Sequence, residues 1–372
     1  MRQLKYAVIG AGNGGQTMAG YLSAKGYKVS LFDFMKEPIQ KIKEGGNVIK
    51  ITGTLEMEGK LELATNNMEE VIQGADVIFV VNPSTYHIKI AKECAKYLED
   101  GQVIFLNPGS TFGSFAFKKA LDDVGCTKDV ILAESNTLLF ACRMISPGLV
   151  EIGGKKDRII VAAFPATKND LVKELLEEAL PEVKMGDNVF VTSLDNTNPL
   201  VHPGPTMMNC SWAESGSRFL YYHDGIGATM GEFIERMDKE RICMGLTLGL
   251  ELGKNLFDLF MQYEQEYGTK GETISNIFKN VKAYDSIYAA NNVKTRYIYE
   301  DVPTALIPLI ELGHLLNCSV NSLKLIVDLC CGILNEDFWN FEETRSLEKL
   351  GLEGMNVGDL IEYANTGVKN KA

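Results

Sequence analysis

The segment from Lys5 to Asp33 constrains this chain more than any other. An apolar run, Tyr6-Ala7-Val8-Ile9, leads into Gly10-Ala11-Gly12-Asn13-Gly14-Gly15. A helix-like stretch follows to Ala24, then a turn at Lys25-Gly26. A second apolar run, Lys28 to Phe32, ends on Asp33. The order is strand, glycine turn, helix, strand, acid. The G-x-G-x-x-G pattern at Gly10, Gly12 and Gly15 is weak alone and strong in this order, because each glycine has a physical task. Gly10 permits the tight turn out of the strand. Gly12 has no side chain to hold a pyrophosphate off the backbone. Gly15 lets the helix pack closely on the strand. Asn13 and Gly14 complete the turn, and the helix N-terminus offers free N–H groups and partial positive charge to phosphates. Asp33, about twenty residues on, can accept hydrogen bonds from adenosine ribose hydroxyls. A dinucleotide site is the expectation. A tight glycine turn in another α/β fold is the plain alternative.

Beyond this segment, further apolar runs alternate with helical text. Glu37 to Glu44 reads as a helix, and residues 47–64 as a β-hairpin. Ala75 to Val81, Gln102 to Leu106 and Asp129 to Glu134 read as buried parallel strands, each followed by a helix or a turn. Arg158 to Phe164 and Val189 to Thr192 read as extensions of the same sheet. Such alternation means a doubly wound parallel sheet, a Rossmann domain, with ligands beyond the carboxyl ends of the strands. Asn82-Pro83, Asn107 and Glu134 stand at those ends and join the candidate cofactor contacts. From about Pro199 strand text stops. Gly231 to Gln262, Thr273 to Ala290, Thr304 to Leu316 and Ser319 to Leu334 read as helices. The expected division is a nucleotide-binding domain over residues 1–195 and an all-helical domain over 196–372. The crevice between two such domains is the default place for chemistry.

The chain has 372 residues and a net charge of −12, with no long basic run, so nucleic acid and anionic membranes are poor partners. An anionic substrate must then be drawn by local arginines. Eight cysteines occur without any C-x-x-C pair, which reads as a reduced cytoplasmic protein with neither disulfides nor a metal site. The first strand begins almost at once, leaving no room for a signal peptide. No apolar run reaches the roughly 18 residues that a membrane span needs. The apolar text from Leu246 to Phe260 could support a homodimer and is equally adequate as core.

Four histidines occur. His314 lies in helical text and reads as a packing residue. His223 precedes Asp224-Gly225 and reads as a solvated turn residue. His87 follows a strand end, either edging the cofactor site or starting a surface helix. His202 differs. It sits in Asn198-Pro199-Leu200-Val201-His202-Pro203-Gly204-Pro205, at the domain changeover, where the prolines should stiffen a loop and resist helix. An imidazole on a rigid loop suits acid/base work. A structural histidine in a proline turn is the alternative. A second cluster is Arg296-Tyr297-Ile298-Tyr299-Glu300-Asp301-Val302-Pro303. Asp301 is favoured as the N-cap of the helix that follows. It could instead charge and orient a histidine, with Arg296 as a fork for a substrate carboxylate.

At these residues the chain resembles the opine dehydrogenases. The resemblance lies in Asn107-Pro108-Gly109 with Gly113 and Phe117, and in Ala133 to Thr137 with Ala141-Cys142-Arg143. It continues in Asn198-Pro199 with His202-Pro203, in Arg296 five residues before Asp301, and in Arg345 to Leu352. Thr304-Ala305 stand where a glycine is common. The resemblance implies reductive condensation of an amino acid with a 2-oxo acid, commonly pyruvate, by NAD(P)H. It implies His202 as acid/base paired with Asp301, Arg296 on a substrate carboxylate, and Arg143 as a weaker second contact. Asp33 would repel a 2′-phosphate and no arginine follows it directly, so NAD(H) is expected over NADP(H). Two other readings stay open. One is a ketopantoate-type 2-oxo acid reductase, which would lean on a lysine in the helical domain. The other is a non-catalytic NAD-binding regulator.

Overall fold

The computed structural model of the protein describes residues 3–250 and 256–369. The chain divides into two compact units. The first comprises Met1–Gly109, Gly113–Val189 and Ala364–Gly367, and the second Ser110–Phe112, Phe190–Tyr363 and Val368–Ala372.

Twelve strands occur among the described residues, all in the first unit. They are β1 (Lys5–Ile9), β2 (Lys28–Phe32), β3 (Val48–Gly53), β4 (Met57–Lys60), β5 (Leu63–Thr65), β6 (Val77–Val80), β7 (Val103–Leu106), β8 (Ile131–Ser135), β9 (Phe140–Ser146), β10 (Leu149–Lys155), β11 (Ile159–Phe164) and β12 (Val183–Met185). Eight form one sheet in the order β12-β11-β8-β7-β6-β1-β2-β5. From β5 to β8 all pairs are parallel. β6 and β7 are buried at every position, as strands covered on both faces must be. Rings from adjacent strands interlock edge to face, Tyr6 on Phe79 and Phe79 on Phe105, with centroids 5.8 and 5.3 Å apart.

β11 lies in the sheet as expected but runs antiparallel to β8. The last strand is β12, not Val189 to Thr192, which belongs to the helix Val189–Leu194. A short buried run of β-branched and aromatic residues fits either element, and periodicity alone does not separate them.

The expected hairpin is β3–β4. It extends into a second sheet, β4-β3-β10-β9, through a parallel pairing of β3 with β10. This sheet clamps the helix Asn13–Ala24 from outside. A Cβ added at Gly59 would lie 2.3 Å from Gly20 O, and one at Gly20 would lie 2.8 Å from Ile49 Cγ2. The helix is therefore buried continuously from Gly15 to Ser23.

The second unit is helical, with a single β-bridge between Leu220 and Tyr288 among its described residues. Its core includes Ile234, Ile298, Leu306, Leu309, Leu323 and Ile326, all fully buried. The long apolar text from Gly231 divides. The helix Ala228–Thr247 ends where Gly249 takes φ +76°, and a new helix, Leu259–Tyr267, starts behind the Asp258 cap. The continuous reading passes through residues 251–255, which lie outside the described residues. Leu246 is exposed, whereas Leu256 and Phe257 are buried. The expected helix from Thr273 to Ala290 stops at Asn280. No helix among the described residues is long and apolar enough to cross a membrane.

Candidate active site

The prolines around His202 begin helices instead of resisting them. Pro199 and Pro203 occupy the first turns of Asn198–Val201 and Pro203–Met208, where a missing N–H costs nothing. His202 is the joint between these two short helices, with φ −105° and ψ −64°. The backbone carbonyl of His202 accepts from Tyr221 Oη at 2.7 Å, and the Thr206 hydroxyl lies 2.9 Å from the same phenol. The joint is thus pinned from the side.

Asp301 does not cap. Its backbone is helical (φ −72°, ψ −27°) and its side chain makes no capping bond. The carboxylate instead reaches His202, with Oδ2 2.7 Å from Nδ1. A π-helical turn, Val302–Leu306, follows it and leads into the helix Ile307–Leu315. His202 and Asp301 are only 6% and 7% exposed, so water screens their interaction little. An ionised carboxylate can only accept, so Nδ1 carries a proton toward Asp301, and a neutral ring then presents a lone pair at Nε2. Tyr222 Oη lies 3.0 Å from Nε2 and donates to it when the ring is neutral. Burial, with Tyr297 nearby, pushes the Tyr222 phenol well above its usual pKa and keeps it protonated. Tyr297 stacks on the imidazole face, centroids 3.9 Å apart and planes 13° apart.

Arg296 stands one residue before that stacked ring. Its side chain is 65% exposed, with Nη1 3.9 Å from Glu300 Oε2. The pair is long, and the nearby Glu300 and Asp301 carboxylates favour the guanidinium's charge. Arg143 is an exposed residue of β9 in the first unit, directly across from Glu151 on β10.

The remaining histidines take other places. His314 is exposed, because the helix Ile307–Leu315 buries its opposite face. His223 is partly buried, with Nε2 3.5 Å from Asp285 Oδ1, instead of being solvated. His87 opens the helix His87–Cys94 fully buried, not at the surface.

In the first unit, the glycines of the turn separate by what surrounds them. A Cβ at Gly15 would lie 1.7 Å from Gly10 O. One at Gly10 would lie 2.7 Å from Asn82 Oδ1, and φ there is +108°. One at Gly14 would lie 2.9 Å from Val81 Cγ1. Gly12 meets nothing within 4 Å. Packing explains the first three and does not explain Gly12. Gly12 is also the N-cap of the helix Asn13–Ala24, with no side-chain cap, as suits a helix N-terminus that receives an anion. Asn13 Oδ1 accepts from Met144 N at 3.0 Å and ties the turn to β9.

Two buried acceptors, Asn82 Oδ1 and Asn107 Oδ1, lack a partner among the described residues. They follow the adjacent strands β6 and β7, and a ribose or carboxamide donor would satisfy them. Pro83 beside Asn82 is exposed. Asp33 accepts from Ala11 N at 2.6 Å and from Met35 N at 2.8 Å, so it braces the turn itself. Each oxygen keeps a lone pair for a ribose hydroxyl. Glu134 is fully buried, and its Oε2 accepts from Ser114 N at 2.6 Å in the first turn of the helix Gly113–Asp123. These features fit a nicotinamide dinucleotide. Among the described residues no acid, histidine or cysteine cluster could hold a metal ion.

Comparison with known proteins agrees over both units. A family model described as NAD/NADP octopine/nopaline dehydrogenase, alpha-helical domain, matches residues 185–334. One described as NAD-dependent glycerol-3-phosphate dehydrogenase N-terminus matches residues 5–109. The opine dehydrogenase of Arthrobacter sp. (strain 1C) is 36% identical over 355 residues, spanning 95% of this chain and 97% of its own. The chain belongs to the opine dehydrogenase family. Octopine dehydrogenase of Pecten maximus is 22% identical over 82% of this chain and 84% of its own. A solved octopine dehydrogenase, in complex with NADH and agmatine, shares the fold at a TM-score of 0.80, with 17% identity and 99% of each chain covered. Opine dehydrogenases are NAD(P)-dependent oxidoreductases acting on CH–NH bonds, and this chain is one of them.

In this member of the opine dehydrogenase family, sequence reasoning missed three rings around the histidine. Tyr297 adjoins Arg296 and was open to inspection. Tyr221 and Tyr222 sit in an aromatic run, Phe219 to Tyr222, that reads as core. No spacing rule links position 222 to position 202.

Proposed function

We propose that this enzyme condenses an amino acid with a 2-oxo acid, pyruvate being the first to test, and reduces the resulting imine with NADH. The observation that carries the chemistry is the buried 2.7 Å contact between His202 and Asp301. As the amine adds to the carbonyl carbon, the developing oxygen anion needs a proton. His202, charged with Asp301 behind it, is the source of that proton. The amine nitrogen returns a proton to His202, which passes it to the new hydroxyl, and water leaves as the protonated imine forms. The nicotinamide supplies the hydride to the imine carbon when bound. Arg296 holds the carboxylate of the 2-oxo acid through a bidentate fork. Arg143 is a weaker candidate for a second carboxylate contact. Gly10, Gly12, Asn13, Gly14 and Gly15 form the pyrophosphate cradle, with Asp33 at the adenosine ribose. Asn82, Pro83, Asn107 and Glu134 line the strand ends on the nicotinamide side.

NADH oxidation across a grid of amino acids, with pyruvate and related oxo acids, tests this reading. Turnover should require both an amine and an oxo acid. Equal rates without any amine would instead mark a simple 2-oxo acid reductase, and no turnover at all a regulator. With the active pair, Arg296→Ala should raise KM for the oxo acid about 10- to 100-fold, the weight of a charge-assisted hydrogen bond. Arg296→Lys should recover only part of it, because a point charge cannot reproduce the fork. An unchanged KM would remove Arg296 from the carboxylate.

The same reading gives Asp33 a preference for NADH. In the double variant Asp33→Ala, Phe34→Arg, the ratio of kcat/KM for NADPH over NADH should rise at least about tenfold, the effect of one restored charge-assisted contact. A ratio equal to that of the unmodified enzyme would refute the assignment.

A further inference from the structure

A proton leaving His202 has one way out. Nδ1 is held by Asp301 at 2.7 Å, so exchange with a substrate runs through Nε2. That nitrogen already faces a phenol, with Tyr222 Oη 3.0 Å away. The phenol does not stand there loosely. Its ring stacks on Tyr284, centroids 4.0 Å apart and planes 17° apart, and meets Tyr221 edge to face at 4.9 Å. Tyr284 is fixed in turn by Tyr263, whose hydroxyl lies 2.8 Å from its own. Swinging Tyr222 away from Nε2 would break this stack, and Tyr222 is only 5% exposed.

The direction of the hydrogen bond depends on the charge of the ring. With neutral His202, Tyr222 O–H donates to Nε2 and both groups are satisfied. With a proton on Nε2 the bond reverses, and the phenol oxygen accepts. The phenol hydrogen then needs a new acceptor, and Tyr222 makes no second hydrogen bond among the described residues. A buried hydroxyl left in that state is costly. The oxygen of a bound oxo acid would supply the acceptor that the charged ring creates a need for.

We propose that Tyr222 is a catalytic proton carrier, its hydroxyl handing the proton to the carbonyl oxygen of the 2-oxo acid while His202 Nε2 refills it. This rests on the reading of His202 as the acid. The Tyr222 O–H bond breaks as an O–H bond forms on the substrate. The Nε2–H bond breaks as the Tyr222 O–H bond is restored. The imidazolium becomes imidazole, the substrate oxygen becomes a hydroxyl, and nothing is oxidised. The two transfers are concerted, because burial disfavours the phenolate that a stepwise path would require.

Tyr222→Phe keeps the ring stack and removes only the carrier atom. Single-turnover NADH oxidation with the active amino acid and oxo acid should slow about 100-fold, within the range for loss of a positioned proton donor, while KM for both substrates stays the same. The unmodified enzyme, run in mixtures of H2O and D2O, should give a bowed dependence of rate on deuterium fraction, since two protons move together. In Tyr222→Phe the dependence should become linear. Unmodified rates in Tyr222→Phe, or a linear dependence in the unmodified enzyme, would overturn the carrier. The second readout needs no variant. If His202→Ala keeps full activity, the acid assignment itself fails. If His202→Ala is inactive and Tyr222→Phe is not, only the carrier fails.

Discussion

Replacing His202 with alanine is expected to lower kcat/KM for reductive condensation by about 10²- to 10⁴-fold, the usual loss when a positioned acid/base is removed. The loss should fall mainly on kcat, because His202 acts on charge that develops at the carbonyl oxygen. Asp301→Asn should reproduce much of it while keeping the shape. An amide can present its N–H₂ to Nδ1, which favours the wrong tautomer and withdraws the charge that supports the imidazolium. Both residues are buried, so removing either leaves the other without its partner and destabilises the fold as well. Thermal melting of each variant must therefore accompany the kinetics. A folded His202→Ala enzyme with unaltered kcat would end the acid/base assignment. Loss of activity matched by loss of folded protein would assign the pair to stability alone.

Gly12→Ala and Gly15→Ala should fail in different ways. At Gly15 the new methyl would fall 1.7 Å from Gly10 O, a backbone atom with no room to retreat. Overpacking of this kind typically costs about 1–3 kcal/mol and more where backbone must move, so Gly15→Ala should melt markedly lower and bind NADH poorly. At Gly12 nothing in the described chain lies within 4 Å of the new methyl. That variant should melt like the parent and still lose NADH affinity by about tenfold or more, since a close backbone approach to pyrophosphate is what the position provides. Calorimetric melting and dinucleotide titration of the two proteins decide the matter. Equal NADH affinity in Gly12→Ala and the parent would remove the pyrophosphate from this turn.

Local text made the strand, glycine turn, helix and acid legible, because each has its own residue signature over a short span. His202 was legible as a candidate for the same reason. Non-local pairing was not. β10 aligns with β3 across about a hundred positions of chain, and the run Phe140 to Lys155 carries no mark of that partner. The reversed direction of β11 beside β8 is likewise a tertiary outcome. Asp301 shows the same limit at a single residue. Its sequence neighbours favour a helix cap, and only the arrival of His202 from 99 positions away redirects the carboxylate. Tyr222 carried no signal, since aromatic runs are ordinary core text.

Asp33 carries a consequence for how such an enzyme could change its coenzyme. The carboxylate expected to choose between NADH and NADPH also holds the Ala11 amide of the glycine turn at 2.6 Å. A mutation that removes the acceptor along with the charge, such as Asp33→Ala, thus loosens the cradle in the same step, before any new phosphate contact exists. Single substitutions that leave no acceptor at position 33 should be poor starting points for laboratory evolution toward NADPH. Paths that first place a cation at position 34, or that keep an acceptor at 33 with asparagine or serine, cross shallower ground.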